Sequence, residues 1–151
     1  MEKEIVYSII IPHKNIPLLL QRCLDSIPQR EDIQIIVVDD NSSSDIVDFS
    51  NFPGRNKVGV EIILTKEGKG AGYARNCGLK HVRGEWLIFA DADDFFLRDF
   101  LDVLDAYRNT DYDLIVFRAE SVDSDTLAPV ISRQNNYEKI AENMDLEILK
   151  Y

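Results

Sequence analysis

The sequence is poor in cysteine, in basic residues and in long apolar runs, and each shortage argues against a class of protein. Cys23 and Cys77 are the only cysteines and form no Cys-x-x-Cys motif, so we expect free thiols in a reducing cytoplasm. The 17 basic residues face 27 acidic ones, and the net charge of −10 argues against nucleic acid as a partner. No run approaches the roughly 20 apolar residues of a membrane-spanning helix, and the charged N-terminus is not that of a signal peptide.

The apolar residues that are present suit one domain with a sizeable core, since they make up 45% of the 151 residues. Short β-branched or apolar runs predict strands at residues 5–11, 34–38, 60–64 and 86–90, the first of them stopped by Pro12. Apolar periodicity predicts helices at residues 17–27, 46–49, 73–81, 97–107 and 137–148. Weaker patterns predict further strands at residues 114–117 and 126–132.

Alternating strands and helices predict right-handed βαβ units and a mainly parallel sheet. Ligands of such sheets bind beyond the carboxyl ends of the strands. The polar clusters of this chain fall at those ends, in residues 12–15, 39–41, 68–72 and 91–94. The sequence therefore predicts an active site at one edge of the sheet.

Three carboxylates, Asp91, Asp93 and Asp94, follow the apolar run at residues 86–90. Carboxylates repel one another, so the cluster requires an explanation. One interpretation is a site for Mn²⁺ or Mg²⁺, which binds one or two protein carboxylates and completes its shell with water and phosphate. The other is a solvated turn in which Asp93 or Asp94 caps the next helix.

Five motifs in order resemble the donor half of family 2 glycosyltransferases. They are SIIIP at residues 8–12 followed by Asn15, CLDSI at 23–27, IIVVDDNS at 35–42, GYARNCG at 72–78 and GEWLIFADADD at 84–94. The resemblance implies an α/β fold of the GT-A type, a Rossmann-like three-layer α/β/α sandwich with a mainly parallel sheet. It also implies a nucleotide-sugar donor, a divalent metal and inversion at the anomeric carbon. Residues 1–151 would form a single donor-binding domain.

The same resemblance implies roles for individual residues. Pro12 would lie beside the base, Asp40 would accept a hydrogen bond from it, and Arg75 would lie near the diphosphate. Asp91 would lie near the ribose and metal, and Asp93 would bind the metal directly. Two plainer interpretations stay open, namely Asp40 as a turn-capping residue and Arg75 as a surface partner of a nearby acid.

Other polar or reactive residues have plainer interpretations from their context. We expect Asp39 to be structural, Asp94 to cap the following helix and His13 to be a solvated loop residue. Cys23, Cys77 and Trp86 are expected in the core.

The sequence departs from the family after the acidic cluster. An inverting transferase needs a general base, and neither the family's downstream acidic pair nor its Gln-x-x-Arg-Trp motif occurs here. Candidates by sequence proximity alone are Asp111, Asp113, Glu120, Asp123 and Asp125. We therefore expect a donor domain truncated before its acceptor-side segment, with the base beyond Tyr151, that binds donor but transfers sugar poorly.

The expected donor is a UDP-sugar, and the acceptor is a glycan, a lipid-linked sugar or a protein. We expect a cytoplasmic protein, with the full-length form at the inner face of a membrane, and a homodimer through the helix at residues 137–148. Alternatives are a non-catalytic nucleotide-sugar-binding or assembly module and a sugar-phosphate nucleotidyltransferase. The latter would need a basic glycine-rich loop after the first strand, where this chain has Pro12 and His13.

Overall fold

A computed structural model of the chain describes residues 4–117 and 119–130. The chain forms two compact units, Met1–Asp102 and Val103–Tyr151. The expectation of a single donor-binding domain over residues 1–151 stays a prediction. Among the described residues, none of the helices is long and apolar enough to cross a membrane.

The first unit is built on a sheet of four parallel strands. They are β1 (Tyr7–His13), β2 (Ile33–Asp40), β3 (Val60–Thr65) and β4 (Trp86–Phe89). Their order across the sheet is β3-β2-β1-β4. Every residue of β1 and β2 is buried, because these strands lie inside a sheet whose faces are both covered. The four strands predicted from the β-branched and apolar runs are confirmed.

Helices connect the strands of the first unit. Helix α1 (Pro17–Ser26) joins β1 to β2, and α2 (Ala71–Leu79) joins β3 to β4. These crossovers run in opposite directions along the sheet, so right-handed connections place the helices on opposite faces. Ala74 of α2 packs in a buried cluster with Ile10, Ile36 and Val38. The predicted layered α/β architecture is confirmed.

Helix α1 begins and ends where proline chemistry predicts. Pro17 occupies its first turn, where a missing N–H costs nothing. Ile27 leaves the helical conformation, directly before Pro28. The Lys57 ammonium donates to the carbonyl oxygens of Leu24 and Ile27, which satisfies the end of the helix. Burial lowers the pKa of Lys57.

The prediction that Pro12 stops the first strand is wrong. Strand β1 continues through Pro12 to His13, and Pro12 lies opposite Val38 of β2. Ile10 accepts a hydrogen bond from Ala90, so even-numbered residues of β1 direct their backbone groups towards β4. The pairing of β1 with β4 ends at Ile10 and Phe89. An N–H at position 12 would point towards β4, beyond the last paired residues. Proline is therefore tolerated there, because β4 offers that position no partner.

Four other predicted elements differ from the sequence pattern. The short helix predicted at residues 46–49 is a 3-10 helix at Phe49–Asn51, capped by the Asp48 side chain. Helix α3 (Phe100–Tyr107) begins three residues later than predicted. Residues 114–117 form no strand, and within the described part of 126–132 the pairing is a single antiparallel bridge between Val122 and Pro129. The helix predicted at residues 137–148 lies outside the described residues.

Candidate functional site

The carboxyl edge of the sheet gathers the residues predicted from the sequence. Pro12 lies near the end of β1, Asp40 ends β2, and Asp91 and Asp93 follow β4. Since β4 lies next to β1, the acidic loop is close to the loop after β1. Arg75 joins them from α2 through its contact with Asp91. The site is therefore made of segments far apart in the sequence.

Asp39 and Asp40 are consecutive residues of a strand, so their side chains point to opposite faces of the sheet. Asp40 faces the side covered by α2. The residue is 2% exposed, and its carboxylate accepts backbone hydrogen bonds from Lys69 (3.0 Å) and Gly70 (2.7 Å). The Lys14 ammonium lies 3.7 Å from the same carboxylate. Asp40 thus holds the glycine loop that leads into α2.

The prediction of a solvated His13 is wrong. This residue is 2% exposed, and its Nδ1 lies 2.7 Å from the Asp39 carboxylate. Because Nε2 accepts the Ile16 N–H at 3.2 Å, the proton is assigned to Nδ1, which donates to Asp39. The ring edge packs on Phe52, with 5.4 Å between the ring centroids. His13 is a buried link between the ends of β1 and β2.

Asp39 completes this link, as expected of a structural residue. It accepts hydrogen bonds from the Ser42 hydroxyl (2.6 Å) and the Ser42 N–H (2.9 Å). Burial alone would raise the pKa of Asp39, but the hydrogen bonds from His13 and Ser42 outweigh it and lower the pKa. Asp39 is therefore a charged acceptor at neutral pH.

Two asparagines shape the loops above this link. Asn15 and Asn41 both adopt positive φ angles, 57° and 60°, a conformation that asparagine tolerates better than most residues. The Asn15 side chain accepts a hydrogen bond from Ser43 (2.8 Å), and the Asn15 N–H donates to the Ser42 hydroxyl (2.8 Å). The loops after β1 and β2 are thus joined across the edge of the sheet.

Arg75 and Asp91, predicted separately, form an ion pair. Both side chains are partly exposed, so the pair is accessible from solvent. The plainer interpretation of Arg75, as a surface partner of a nearby acid, therefore describes this contact. The acid it pairs with, Asp91, is itself a predicted site residue. Arginine and carboxylate together can face a phosphate and a cation.

Asp93 and Asp94 complete the acidic loop. Both are exposed, and no side-chain hydrogen bond or ion pair of Asp93 occurs within the part of the chain that the structure describes. Partial desolvation, followed by repulsion from Asp93 and Asp91, raises the pKa of Asp94, and Arg22 opposes this shift. The prediction that Asp94 caps the next helix is wrong, because α3 begins only at Phe100. The Asp94 N–H instead closes a turn on the Asp91 carbonyl at 3.0 Å.

Helix α1 contacts the backbone of the acidic loop. Arg22 donates to the Asp93 carbonyl at 2.8 Å, and the Cys23 thiol lies 3.7 Å from the Asp91 carbonyl. Burial, followed by repulsion from Asp94, raises the pKa of the Cys23 thiol to about 12. Cys23 is therefore a neutral core thiol, as predicted.

The donor set fits a hard divalent cation. Asp91 and Asp93 supply exposed carboxylates two residues apart, and a Mn²⁺ or Mg²⁺ ion bound to phosphate needs only one or two. Among the described residues, no group of three or more histidine, cysteine or acidic side chains could hold a metal by itself. These residues suit a cation that a diphosphate would help to hold.

Asp123, one of the residues considered for the general base, is part of a turn in the second unit. Its carboxylate accepts hydrogen bonds from the Thr126 N–H (2.8 Å) and hydroxyl (2.9 Å). These hydrogen bonds lower the pKa of Asp123. This geometry favours a structural role for Asp123.

The linking roles of His13 and Arg22 were not predicted from the sequence. The signal for His13 was the pair Asp39-Asp40, since one acid of such a pair must face the α1 side of the sheet and find a partner there. Asp39 and His13 are register neighbours on adjacent strands. Arg22 follows a helical pattern, and the sequence held no sign of its contact 71 residues away.

Comparison with known proteins identifies the family. The model described as "Glycosyl transferase family 2" matches residues 8–149. The chain belongs to glycosyl transferase family 2. The resemblance inferred from the five motifs is confirmed.

One similar relative of this family 2 chain is the poly(ribitol-phosphate) beta-glucosyltransferase of Bacillus spizizenii. The two are 37% identical over 93 residues, which cover 58% of this chain and 15% of that protein. The chain therefore spans only a small part of the length of this curated relative.

Solved structures similar to this family 2 chain include complexes with nucleotide sugars. S. aureus TarS 1–349 in complex with UDP-GlcNAc has a TM-score of 0.60 and 26% identity, covering 68% of this chain and 31% of that one. The mannosyltransferase PcManGT from Pyrobaculum calidifontis, in complex with GDP-Man and Mn²⁺, has a TM-score of 0.53 and 26% identity. That match covers 63% of this chain and 30% of the other. The predicted α/β fold of the GT-A type is confirmed.

Proposed function

We propose that this chain is the donor-binding part of an inverting glycosyltransferase that uses a UDP-sugar with Mn²⁺ or Mg²⁺. The observation that carries the proposal is the convergence of Asp40, Arg75, Asp91 and Asp93 at one edge of the sheet. Family membership and neighbours bound to UDP-GlcNAc or GDP-Man support a nucleotide-sugar donor. The acceptor would be a glycan, a lipid-linked sugar or a protein.

Asp40 and Pro12 are the proposed contacts of the base. A buried carboxylate can accept the imide N–H of uracil, and Asp40 uses only two of about four acceptor positions for the loop amides. The hydrogen bonds to Lys69 and Gly70 would fix the carboxylate before the base arrives. Asp40 would then both shape the glycine loop and recognise the nucleotide.

Arg75 and the start of α2 are the proposed contacts of the diphosphate. Gly70 precedes the helix, and no side chain of the described residues caps it, so its first amides could donate to an anion. Arg75 adds a guanidinium that already lies against Asp91. Asp93, with Asp91, would hold the cation, which would supply positive charge to the leaving diphosphate. The protein would thus surround the diphosphate with charge from two elements.

The first test is calorimetric titration of UDP and GDP into the 151-residue chain, with and without Mn²⁺. We expect UDP binding that strengthens with Mn²⁺, and an Asp93→Ala variant that loses the metal-dependent part. Glu85→Ala is the matched control, because it removes one exposed carboxylate at the opposite end of β4. Absence of binding of either nucleotide by the wild type would overturn the proposal.

A non-catalytic nucleotide-sugar-binding module is the second candidate, because Asp40, Arg75, Asp91 and Asp93 could bind a donor without a general base. It predicts the same UDP titration with no sugar transfer in any context. Joining the chain to an acceptor-side segment that carries a carboxylate base separates the two candidates. Transfer by the joined protein supports the enzyme.

A further inference from the structure

One face of α1 meets the backbone of the acidic loop at three points. Arg22 donates to the Asp93 carbonyl at 2.8 Å, Cys23 lies 3.7 Å from the Asp91 carbonyl, and the Ser26 hydroxyl accepts the Phe96 N–H at 3.0 Å. These residues have the spacing i, i+1 and i+4, which places them on one side of a helix. We name Arg22, Cys23 and Ser26 the α1 clamp.

The residues of the α1 clamp are themselves held in place. The Arg22 guanidinium lies over the Phe95 ring, 5.3 Å from its centroid, so Phe95 supports the group that reaches Asp93. The Ser26 hydroxyl donates to the Cys23 carbonyl at 2.6 Å, which orients its lone pairs towards Phe96. Cys23 is fully buried. Each side chain of the clamp is therefore buried or in contact with a neighbouring group where it meets the loop.

The two hydrogen bonds and the thiol contact that define the clamp reach backbone groups of the loop. Their partners are the carbonyls of Asp91 and Asp93 and the N–H of Phe96, while the Asp91 and Asp93 carboxylates stay exposed. Residues 91–96 contain no helix or strand that could fix their conformation. Their conformation thus depends on individual contacts, which include the turn from the Asp94 N–H to the Asp91 carbonyl, the ion pair of Arg75 with Asp91 and the bonds from α1.

We propose that Arg22 and Ser26 are positioning residues that hold residues 91–96 in the conformation in which Asp91 and Asp93 bind the cation. This inference rests on the proposed function. Neither residue would touch the cation or the nucleotide. Their effect would pass through the backbone of the loop, as outer contacts of a metal site orient its ligands.

Electrostatics and positioning predict opposite effects for Arg22. Its positive charge near Asp93 and Asp94 should by itself repel a cation, so loss of the charge should strengthen cation binding. Loss of the hydrogen bond to the Asp93 carbonyl should weaken it, because the loop is released. The sign of the change therefore separates the two roles.

The test compares Arg22→Met, Arg22→Lys and Ser26→Ala with wild type by two measurements. The first is the affinity for UDP in Mn²⁺ divided by the affinity for UDP in EDTA. We expect Arg22→Met to lower this ratio about tenfold, with affinity in EDTA little changed. Arg22→Lys, which keeps the positive charge and a group that can donate hydrogen bonds, should give a ratio between those of Arg22→Met and wild type. Ser26→Ala should also lower the ratio.

The second measurement is hydrogen exchange, in which the amides of residues 93–96 should exchange faster in Arg22→Met and Ser26→Ala.

Gln21→Ala is the control, because it removes an exposed hydrogen bond to Asp25 on the same helix and should change neither measurement. An unchanged or raised ratio in Arg22→Met would overturn the clamp while leaving the proposed function intact. A wild type that binds no UDP would overturn the proposed function and, with it, the role of the clamp in cation binding. Faster exchange throughout the chain would also count against the inference, since it would indicate general destabilisation.

Discussion

At the scale of single residues, the link between His13 and Asp39 explains why a charged carboxylate is tolerated inside the sheet edge. Asp39 accepts three hydrogen bonds, from His13 and twice from Ser42, so its charge is compensated in a buried position. The same bonds lower the pKa of Asp39 despite its burial. Its contribution to stability must therefore depend on pH.

We expect Asp39→Asn to reduce the free energy of unfolding by about 2–4 kcal/mol at pH 7, because an amide nitrogen would face one of these donors. The folded-state pKa of Asp39 lies below its unfolded value. The stabilisation that the Asp39 carboxylate gives to the fold is fully present above the pKa of Asp39 in the unfolded state. It is lost as the pH falls through the pKa of Asp39 in the folded state. The difference between the proteins should thus stay constant down to about pH 5 and shrink below about pH 4.

Urea unfolding at a series of pH values measures this difference. Asp48→Asn is the control, because Asp48 also has a lowered pKa from hydrogen bonds but caps an exposed 3-10 helix, where asparagine can replace it. Its effect should be much smaller. A difference for Asp39→Asn that stays unchanged into strong acid would contradict the charged-acceptor role.

At the scale of elements, the strands were predictable because β1 and β2 are buried on both faces, which requires continuous apolar runs. The start of α3 was not predictable from periodicity. Leu97 fits the apolar pattern of the helix, yet α3 begins only at Phe100. The two residues before Leu97 are held by α1, because Phe95 lies against the Arg22 guanidinium and the Phe96 N–H donates to the Ser26 hydroxyl. Tertiary contacts with α1 thus outweigh local helix propensity in this segment.

The turn before β4 depends on close approach to β1. A methyl group added at Gly84 would lie 2.6 Å from the Ser8 nitrogen and 2.9 Å from its hydroxyl oxygen. Gly84 also donates to that hydroxyl at 2.8 Å. We expect Gly84→Ala to reduce the free energy of unfolding by about 1–3 kcal/mol, because backbone must move.

Gly72→Ala is the matched control for this turn. Gly72 lies in α2, and an added methyl would meet no atom within 4 Å. Alanine there should raise the free energy of unfolding by about 0.5–1 kcal/mol. Equal urea midpoints for the two alanine variants would contradict the close contact at Gly84.

At the scale of the whole molecule, the position of the site followed from the sequence, but its internal connections did not. Alternation of strands and helices placed the polar clusters at one edge, as the structure confirms. The pairing of Arg75 with Asp91 and the bonds from Asp40 to the glycine loop needed coordinates. Contacts between residues 16 to 30 positions apart depend on packing, which a single sequence pattern does not specify.

Donor binding and sugar transfer should be separable in this chain. If the chain carries a complete donor site, UDP with Mn²⁺ at about 100 times the dissociation constant should stabilise it by about 2.7 kcal/mol, since only the folded state binds. The unfolding temperature should then rise by roughly 5–11 °C. The same chain should release little sugar from a UDP-sugar, because an unassisted acceptor hydroxyl is a poor nucleophile.

Thermal unfolding with UDP and Mn²⁺, and release of UDP from a UDP-sugar in a separate sample of the same preparation, check the two parts of this prediction. A rise in unfolding temperature without turnover places donor binding in this chain and the base elsewhere. Rapid sugar transfer would contradict this separation, because it would require a general base among residues 1–151. No thermal shift would show instead that the edge of the sheet needs further chain before it can hold the nucleotide.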